Sequence, residues 1–412
     1  MTDSRDNHYN AIDATNVASK SGFVNPDSEE LPVRCLWSLA LLVALFLVPL
    51  SVYAEDAQPY CPTPALLSHY LPDHDSEGCY FCTPMDITDE EAVWNMLISP
   101  VTVINVGQKK QITLRAVPSE DAEGIGEITG TSQSVHVLEN LDDGWSLIEC
   151  YSSSFHGSKS QAWNAYVTGY VRTSLLKTVT PSQHYGIVVD KLTQELYLFH
   201  DGHLMTTLVV STGLPNEKQP YNETRSGEFL MVSRVGSIVS DRLIGAKAIR
   251  FNSGDLLHEV PYVKNGDGSK NYKTTEAKLG IRASHGCIRV QRLRNQDGLN
   301  QAWLWDNLPV GESGGTKLVI WEDFAGRQTS IPEDSTPIYY NPKGGTMYHA
   351  VANCPGVKKT YLPLTGITYG ELEEGSFASL TRCPNCFPPL RKGEIAEINA
   401  LHLTHSPGII VR

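Results

Sequence analysis

Two short stretches decide how the middle of this chain folds: LLHEVPY (256–262) and ASHGCIRV (283–290). Each contains an apolar run of strand length next to a histidine or a cysteine, whose side chains can act in catalysis. Cys287 follows a glycine, and its thiolate can act as a nucleophile once a base takes the thiol proton. Gly286 permits a tight turn, and the backbone N–H groups of Gly286 and Cys287 can hold an oxyanion. The alternative is a buried structural cysteine.

Two histidines are candidates for the base. His258 lies 29 residues before Cys287, and the polar stretch between them (264–278) is expected to be a surface excursion that leaves its ends in place. His285 and Arg289 lie two residues either side of Cys287 and share its face if the chain is extended there. The guanidinium of Arg289 suits a carboxylate, either of a substrate or of a neighbouring acidic side chain.

The segments around these motifs predict a mainly β domain. A hairpin turn is expected at Asp201-Gly202. Residues 297–308 predict an amphipathic helix that ends at Pro309, because Leu299, Trp303, Leu304 and Leu308 fall on one stripe. The strand-like runs are HYGIVVDK (184–191), ELYLFHDG (195–202), HLMTTLVVSTG (203–213), GEFLMVSR (227–234) and KLVIWED (317–323).

The order of LYLFHDG, VVSTG, SGEF, LLHEVPY and SHGCIRV resembles the L,D-transpeptidase catalytic domain of YkuD type, over about residues 184–322. The resemblance implies that Cys287 is the acylated nucleophile, that His258 is its base, and that the substrate pocket includes Ser284, His285 and Arg289. It also implies 3→3 cross-linking of peptidoglycan peptide stems, inhibition by carbapenems, and no cofactor for catalysis.

Other functions stay open from the residues alone. An L,D-carboxypeptidase uses the same nucleophile with water as the acyl acceptor, and a non-catalytic cell-wall-binding protein needs no nucleophile at all. A Cys–His endopeptidase fits poorly, because in that class the cysteine precedes its histidine.

The stretch before this domain predicts a small β-barrel. Its LRAVPS, DGWSLIE and GYVRTSLL segments resemble a bacterial SH3-like domain over residues 99–180. Such a domain implies a cell-wall ligand, although a spacer without ligand is the alternative. The strand-like runs lie at 101–106, 112–117, 134–140, 145–151 and 166–176.

A second group of reactive side chains lies in residues 338–391. His349, Cys354, Cys383 and Cys386 are four residues of zinc-ligand type and include one CxxC turn, so they predict a structural zinc site. Disulfides are the alternative, but three cysteines cannot pair among themselves without a remainder. Cys61, Cys79 and Cys82 loosely echo the same pattern, with His69 or His74 as a fourth ligand.

Composition and targeting signals complete the prediction. The 412 residues allow two to three domains, and a formal net charge of -13 argues against nucleic-acid binding. Residues 35–54 are apolar and uncharged, so they predict either a cleaved signal peptide or a membrane anchor, with the rest exported to the periplasm or cell wall. The predicted divisions are a cytoplasmic tail or mis-assigned start (1–34), the signal or anchor (35–54), a Cys-containing region (55–98), the SH3-like domain (99–180), the catalytic domain (183–323), a linker (324–337), the Cys-rich module (338–391) and a tail (392–412).

Overall fold

The computed structural model describes residues 86–322, 327–404 and 409–411. The predicted signal or anchor (35–54) and the first cysteine group, Cys61, Cys79 and Cys82, lie outside these residues. In the described part of the chain, no helix is both long and apolar enough to cross a membrane.

The first sheet follows one helix and is built from short strands, because turn residues interrupt the apolar runs. All five predicted runs form strands here, and two further strands, Gly124–Thr129 and Leu176–Val179, were not predicted. The strand order is β3-β2-β6-β5-β4-β1-β7. The elements are α1 (Glu90–Ile98), β1 (Val101–Ile104), β2 (Gln111–Arg115), β3 (Gly124–Thr129), β4 (Ser134–Asn140), β5 (Trp145–Ser153), β6 (Trp163–Arg172) and β7 (Leu176–Val179).

The second sheet has nine strands and carries both motifs. Its strands are β8 (Tyr185–Asp190), β9 (Glu195–His200), β10 (His203–Ser211), β11 (Gly227–Leu230), β12 (Ser233–Ser240), β13 (Leu243–Arg250), β14 (Leu256–Glu259), β17 (Ile288–Val290) and β18 (Lys317–Trp321). They follow the order β11-β18-β8-β9-β10-β17-β14-β13-β12. The polar stretch at 264–278 lies at the surface as a small hairpin and one helical turn, formed by β15 (Val263–Lys264), β16 (Lys270–Asn271) and α2 (Lys273–Glu276).

Two local predictions of this domain can be compared directly. The Asp201-Gly202 turn is present, with φ of 47° and 91° at its two residues. The helix predicted over 297–308 is shorter and runs as α3 (Gln301–Asn307). It begins there because the Asn300 side chain accepts a hydrogen bond from the Trp303 N–H and caps the first turn.

Apolar side chains fill both faces of the second sheet. One face packs against Leu304 and Leu308 of the α3 region. On the other face Met96 and Leu97 of α1 pack with Tyr151 and Tyr166 of the first sheet. The two sheets therefore share one continuous apolar layer, with α1 inside it.

The C-terminal module (residues 337–391) is a small separate sheet with the order β21-β19-β20-β22. Its strands are β19 (Pro337–Tyr340), β20 (Met347–His349), β21 (Thr365–Thr368) and β22 (Thr381–Arg382). The tail, in which no element was predicted, forms α4 (Lys392–Thr404) and β23 (Ile409–Val411), and β23 pairs in parallel with β6. Single 3-10 turns lie at Thr173–Leu175, Pro220–Asn222, Lys359–Tyr361, Gly370–Glu373 and Gly375–Ser379.

Gly186 tests the packing of α1 on the second sheet. A Cβ at this position would lie 2.7 Å from the Cβ of Leu97, which is fully buried. We expect Gly186→Ala to lower the free energy of unfolding by about 1–3 kcal/mol, the usual range for overpacking. Thermal unfolding of the full chain measures this, with Gly107→Ala as the control because no atom lies within 4 Å of its added Cβ. Equal stability of the two variants would contradict close packing of α1.

Candidate active site

Parallel pairing of β14 with β17 brings the two motifs together. Leu257 pairs with Ile288 and His258 pairs with Arg289. Leu257 and Ile288 are fully buried in the apolar core, so His258 and Arg289 point to the opposite face. Cys287 immediately precedes β17 and shares the face of Arg289. The register therefore gathers the thiol, the imidazole and the guanidinium on one side of the sheet.

The His258 ring is held in one tautomer. Its Nδ1 lies 2.7 Å from the carbonyl oxygen of Glu259. Because a carbonyl oxygen only accepts, Nδ1 carries the proton and the lone pair is left on Nε2. Burial lowers the pKa of His258 to about 4, and the neighbouring Arg289 cation acts in the same direction. At neutral pH the ring is thus an uncharged proton acceptor.

Gly245 of β13 lies directly against the His258 ring. A Cβ at Gly245 would be 2.7 Å from Nδ1 and 3.0 Å from Cε1 of His258. Any larger residue would displace the imidazole from its bond to Glu259. Sequence reasoning missed Gly245, because its role depends on contact between neighbouring strands.

Hydrogen bonds on two sides hold the loop that carries Cys287. Ser284 Oγ donates to the Cys287 carbonyl oxygen at 2.5 Å and accepts from the Gly286 N–H at 3.2 Å. Thr224 Oγ1 donates to the Gly286 carbonyl oxygen at 2.8 Å and accepts from the Gly213 N–H at 2.7 Å. Ser284 thus supports the loop from within, and the N–H of Gly286, a predicted oxyanion donor, is engaged by Ser284.

Gly286 is required by both conformation and space. Its φ is 121°, in the region that favours glycine. A Cβ would lie 2.3 Å from Oδ1 of Asp255. The glycine of the motif therefore lets the loop lie directly on a buried carboxylate.

That carboxylate belongs to a buried ion pair that sequence reasoning did not find. Nη1 of Arg225 lies 3.2 Å from Oδ2 of Asp255, and both side chains are almost fully buried. Arg225 Nη2 also donates to the carbonyl oxygen of Ser154 at 2.6 Å, and its guanidinium stacks over the Phe155 ring. Burial raises the pKa of Asp255, although Arg225 opposes the shift. The first sheet thus contributes directly to the support beneath Gly286.

The half-buried Cys287 side chain rests as a thiol. Burial, followed by the Asp255 charge, raises its pKa to about 12, against the opposing effects of the Leu256 backbone, Arg289 and Arg225. Among the described residues, the Cys287 thiol and the His258 ring share no hydrogen bond. The two side chains are therefore a neutral thiol and a neutral imidazole on one face of the sheet.

Three charged or titratable side chains surround this pair. Arg289 is buried, which lowers the pKa of its guanidinium, and no acidic side chain in the described ranges makes an ion pair with it. Arg250 pairs with Leu256 across β13 and β14. Burial lowers the pKa of its guanidinium, and a negative charge on Cys287 acts in the opposite direction. His285 is exposed on the loop. Arg250 was not predicted, since no motif marks it.

The comparison with protein families agrees with this geometry. Residues 184–320 match the family model of the YkuD L,D-transpeptidase catalytic domain. YciB of Bacillus subtilis strain 168, which is named as an L,D-transpeptidase, is 30% identical over 143 residues. That match covers 34% of this chain and 66% of YciB, just under two thirds of its length. The predicted resemblance of this segment is thus confirmed, whereas the SH3-like assignment of 99–180 stays a prediction.

This chain also matches solved structures of L,D-transpeptidases. An L,D-transpeptidase from Xylanimonas cellulosilytica is 20% identical, with 34% of this chain and 62% of that chain covered and a TM-score of 0.24. An L,D-transpeptidase from Mycobacterium smegmatis is 17% identical, with 54% of this chain and 97% of that chain covered and a TM-score of 0.26.

The C-terminal module holds the other predicted site. His349, Cys354, Cys383 and Cys386 each direct one ligand atom into a common space, and these atoms all lie within 4.8 Å of one another. The first three are buried, and Cys386 is partly exposed. The tertiary structure therefore gathers residues that lie up to 37 positions apart in the sequence.

The reactivity of Cys287 tests the environment described for this thiol. With a pKa of about 12, the alkylation rate of this thiol should rise about tenfold per pH unit from roughly pH 7 to 10. In unfolded chain the rate should instead level off above about pH 8.5, as for an ordinary cysteine. Iodoacetamide labelling read by mass spectrometry of the Cys287 peptide measures both. A plateau below about pH 9 in folded protein would mean that the thiolate is already formed.

Proposed function

We propose that this protein is a peptidoglycan L,D-transpeptidase that works through a Cys287 thioester. One observation supports the proposal: Cys287 immediately precedes β17, whose register puts it on the same face as a histidine whose Nδ1 is already bonded, so that Nε2 is left to accept a proton. The family match of residues 184–320 supports the same reaction class. The substrates are peptide stems of peptidoglycan.

In the first half-reaction the sulfur of Cys287 attacks the carbonyl carbon of the L,D-peptide bond in a tetrapeptide stem. His258 Nε2 takes the thiol proton as the C–S bond forms. The C–N bond then breaks, and the same proton passes to the leaving nitrogen, so the terminal D-residue leaves with a neutral amine. This timing suits a cysteine whose pKa is raised, because the thiolate is generated only beside the substrate.

In the second half-reaction the side-chain amine of another stem attacks the thioester. Its proton passes to His258 and returns to the sulfur, which leaves a 3→3 amide cross-link and free Cys287. With water as the acceptor, the same steps make an L,D-carboxypeptidase. Neither half-reaction requires a cofactor.

Backbone N–H groups supply the oxyanion site in this proposal. The N–H groups of Gly286 and Cys287 belong to a loop that Thr224 and Ser284 hold by hydrogen bonds. Because the Gly286 N–H donates to Ser284 Oγ at rest, it contributes only when that bond breaks. Ser284 is thus a positioning residue whose hydroxyl can exchange partners during the reaction.

Charge near the thiol favours an acidic substrate. Arg289 has a guanidinium with no acidic partner among the described residues, and Arg250 lies on β13, which pairs with the strand of His258. Both suit the carboxylate of a peptide stem. We assign His285, which is exposed on the same loop, to the lining of the substrate pocket. Such substrates lie outside the cytoplasm, so the proposal includes export to the periplasm or cell wall.

Variants of the two central residues test the reaction. Cys287→Ala should abolish both cross-linking and trimming, because no nucleophile remains. His258→Ala should lower the acylation rate by about 100-fold or more, the usual scale of acid–base help. His184→Ala is the matched control, since this histidine is exposed. Mass spectrometry of defined muropeptides separates 3→3 dimers from trimmed stems.

The outcomes distinguish the alternatives. Full turnover by Cys287→Ala would overturn the mechanism. Trimmed stems without dimers, at any acceptor concentration, would assign the carboxypeptidase reaction. If the pH profile of Cys287 alkylation shifts in His285→Ala but not in His258→Ala, the base is His285.

A carbapenem provides an independent probe of the nucleophile. The strained β-lactam carbonyl should acylate Cys287 and add one intact drug mass to the full chain. The adduct should be absent from Cys287→Ser and present in the His184→Ala control. An adduct on another cysteine of an active preparation would count against Cys287 as the acylated residue.

A further inference from the structure

The spacing of the four side chains in the C-terminal module is that of ligands around one ion. Sγ of Cys354 and Sγ of Cys383 lie 3.8 Å apart, and Sγ of Cys386 lies 3.7 Å from Nδ1 of His349. Zn–S bonds of about 2.3 Å in a tetrahedron separate two sulfurs by about 3.8 Å. A disulfide would require about 2.0 Å.

Backbone N–H groups are directed at all three sulfurs. The N–H of Ala350 lies 3.3 Å from Cys386 Sγ, that of Gly356 lies 3.4 Å from Cys354 Sγ, and that of Asn385 lies 3.5 Å from Cys383 Sγ. Such donors stabilise electron-rich sulfur, which is the form that binds a metal. Gly356 also lets the two halves of the site close, because a Cβ there would lie 2.1 Å from Asn385 Nδ2.

The apolar core of the module is small for its length. Its main cluster of buried apolar side chains consists of Ile338, Tyr348, Tyr369, Leu372 and Leu380. Cys354 and Cys383 themselves form a second cluster with Leu364. A segment of this size normally needs a disulfide or a metal to hold it folded.

The turn between Cys383 and Cys386 faces the catalytic domain. Arg382, the residue before Cys383, donates from Nη1 to the Leu279 carbonyl oxygen at 3.4 Å and from Nε to the Pro388 carbonyl oxygen at 2.6 Å. Gly280 leaves room for this contact, because its added Cβ would lie 2.2 Å from Nη1 of Arg382. Leu279 is five residues before Ser284, on the segment that leads into the catalytic loop.

A cleft of about 480 Å³ lies between the C-terminal module and the catalytic domain. The module contributes Asn385, Cys386 and Phe387, and the catalytic domain contributes Thr206 and Asp297. The turn between Cys383 and Cys386 is thus one wall of an interface and not a free surface. Its shape depends on how the two cysteines are held.

We infer that His349, Cys354, Cys383 and Cys386 bind one Zn²⁺ ion, which holds the Cys383–Cys386 turn so that Arg382 braces the segment before the catalytic loop. The site has three thiolates and one imidazole, a ligand set that zinc prefers, and it leaves no open position for catalysis. The ion is structural. This inference does not depend on the proposed acyl-transfer activity.

Metal content tests the site. Full chain purified without added metal should contain zinc, and His349→Ala and Cys383→Ser should each lose about one equivalent. Cys287→Ser is the matched control and should keep it, because Cys287 lies outside the four-residue cluster. Cobalt substitution of the intact site should give the absorption bands of a tetrahedral thiolate complex, and Cys386→His should keep a tetrahedral ion with fewer sulfur bands. Thiol counting under denaturing, non-reducing conditions should find all three cysteines free.

Two results would overturn the zinc site. One is a chain without metal in which Cys354 is bonded to Cys383 or Cys386. The other is a full metal content in the folded His349→Ala and Cys383→Ser variants.

Hydrogen exchange tests the brace. Removal of zinc by a chelator under reducing conditions should speed amide exchange in residues 276–284 by about tenfold, the scale of one lost charged hydrogen bond. Arg382→Ala should produce the same change while keeping its zinc, and residues 134–140 should be unaffected in both. Unchanged exchange at 276–284 in Arg382→Ala would overturn the brace and leave the metal site to be judged by its own measurements.

Discussion

The parallel pairing of β14 with β17 is the constraint on which the rest of the active site depends. It joins two segments that a surface excursion separates, and its register fixes which side chains share a face. With Leu257 and Ile288 committed to the core, His258 and Cys287 must lie on the opposite side. A slip of one residue would turn one of these side chains toward the core and away from the other, so the register that packs the core also decides which side chains share a face.

Buried charge then fixes the loop at the end of that pair of strands. Asp255 lies against Gly286, and Arg225 neutralises it while donating to the carbonyl oxygen of Ser154, directly after β5 of the first sheet. Elsewhere at the same boundary, Glu228 bonds to Lys317 and to His136, and despite burial these partners lower the pKa of Glu228 to about 2. Because breaking a buried pair leaves an uncompensated charge, these contacts hold the first sheet to the sheet that carries Cys287 and His258.

The C-terminal residues close the structure from another direction. Thr329 exchanges hydrogen bonds with Asn399 of α4, and Arg327 bonds to Asp190 of the second sheet. The first residues of the described part of the predicted linker are therefore held to both the second sheet and α4. The C-terminal module also contacts the second domain directly, because Arg382 Nη1 donates to the Leu279 carbonyl oxygen at 3.4 Å.

The resemblance to the YkuD-type family implied His258 as the base, which stays a prediction. The sequence by itself determined the strand-forming runs, the Cys287 loop and the four side chains of the C-terminal cluster. These follow from local patterns: apolar runs of strand length, a glycine before a cysteine, and ligand types at zinc spacing. The tertiary structure alone decided the roles of Arg225, Asp255, Arg250 and Gly245, and the fold of the tail. Each of these depends on contacts between segments far apart in the chain, and neither a buried ion pair nor a close approach of two backbones leaves a local pattern. The start of α3 was misplaced for a related reason, because the amphipathic stripe continues through Leu299 while the Asn300 cap sets the boundary.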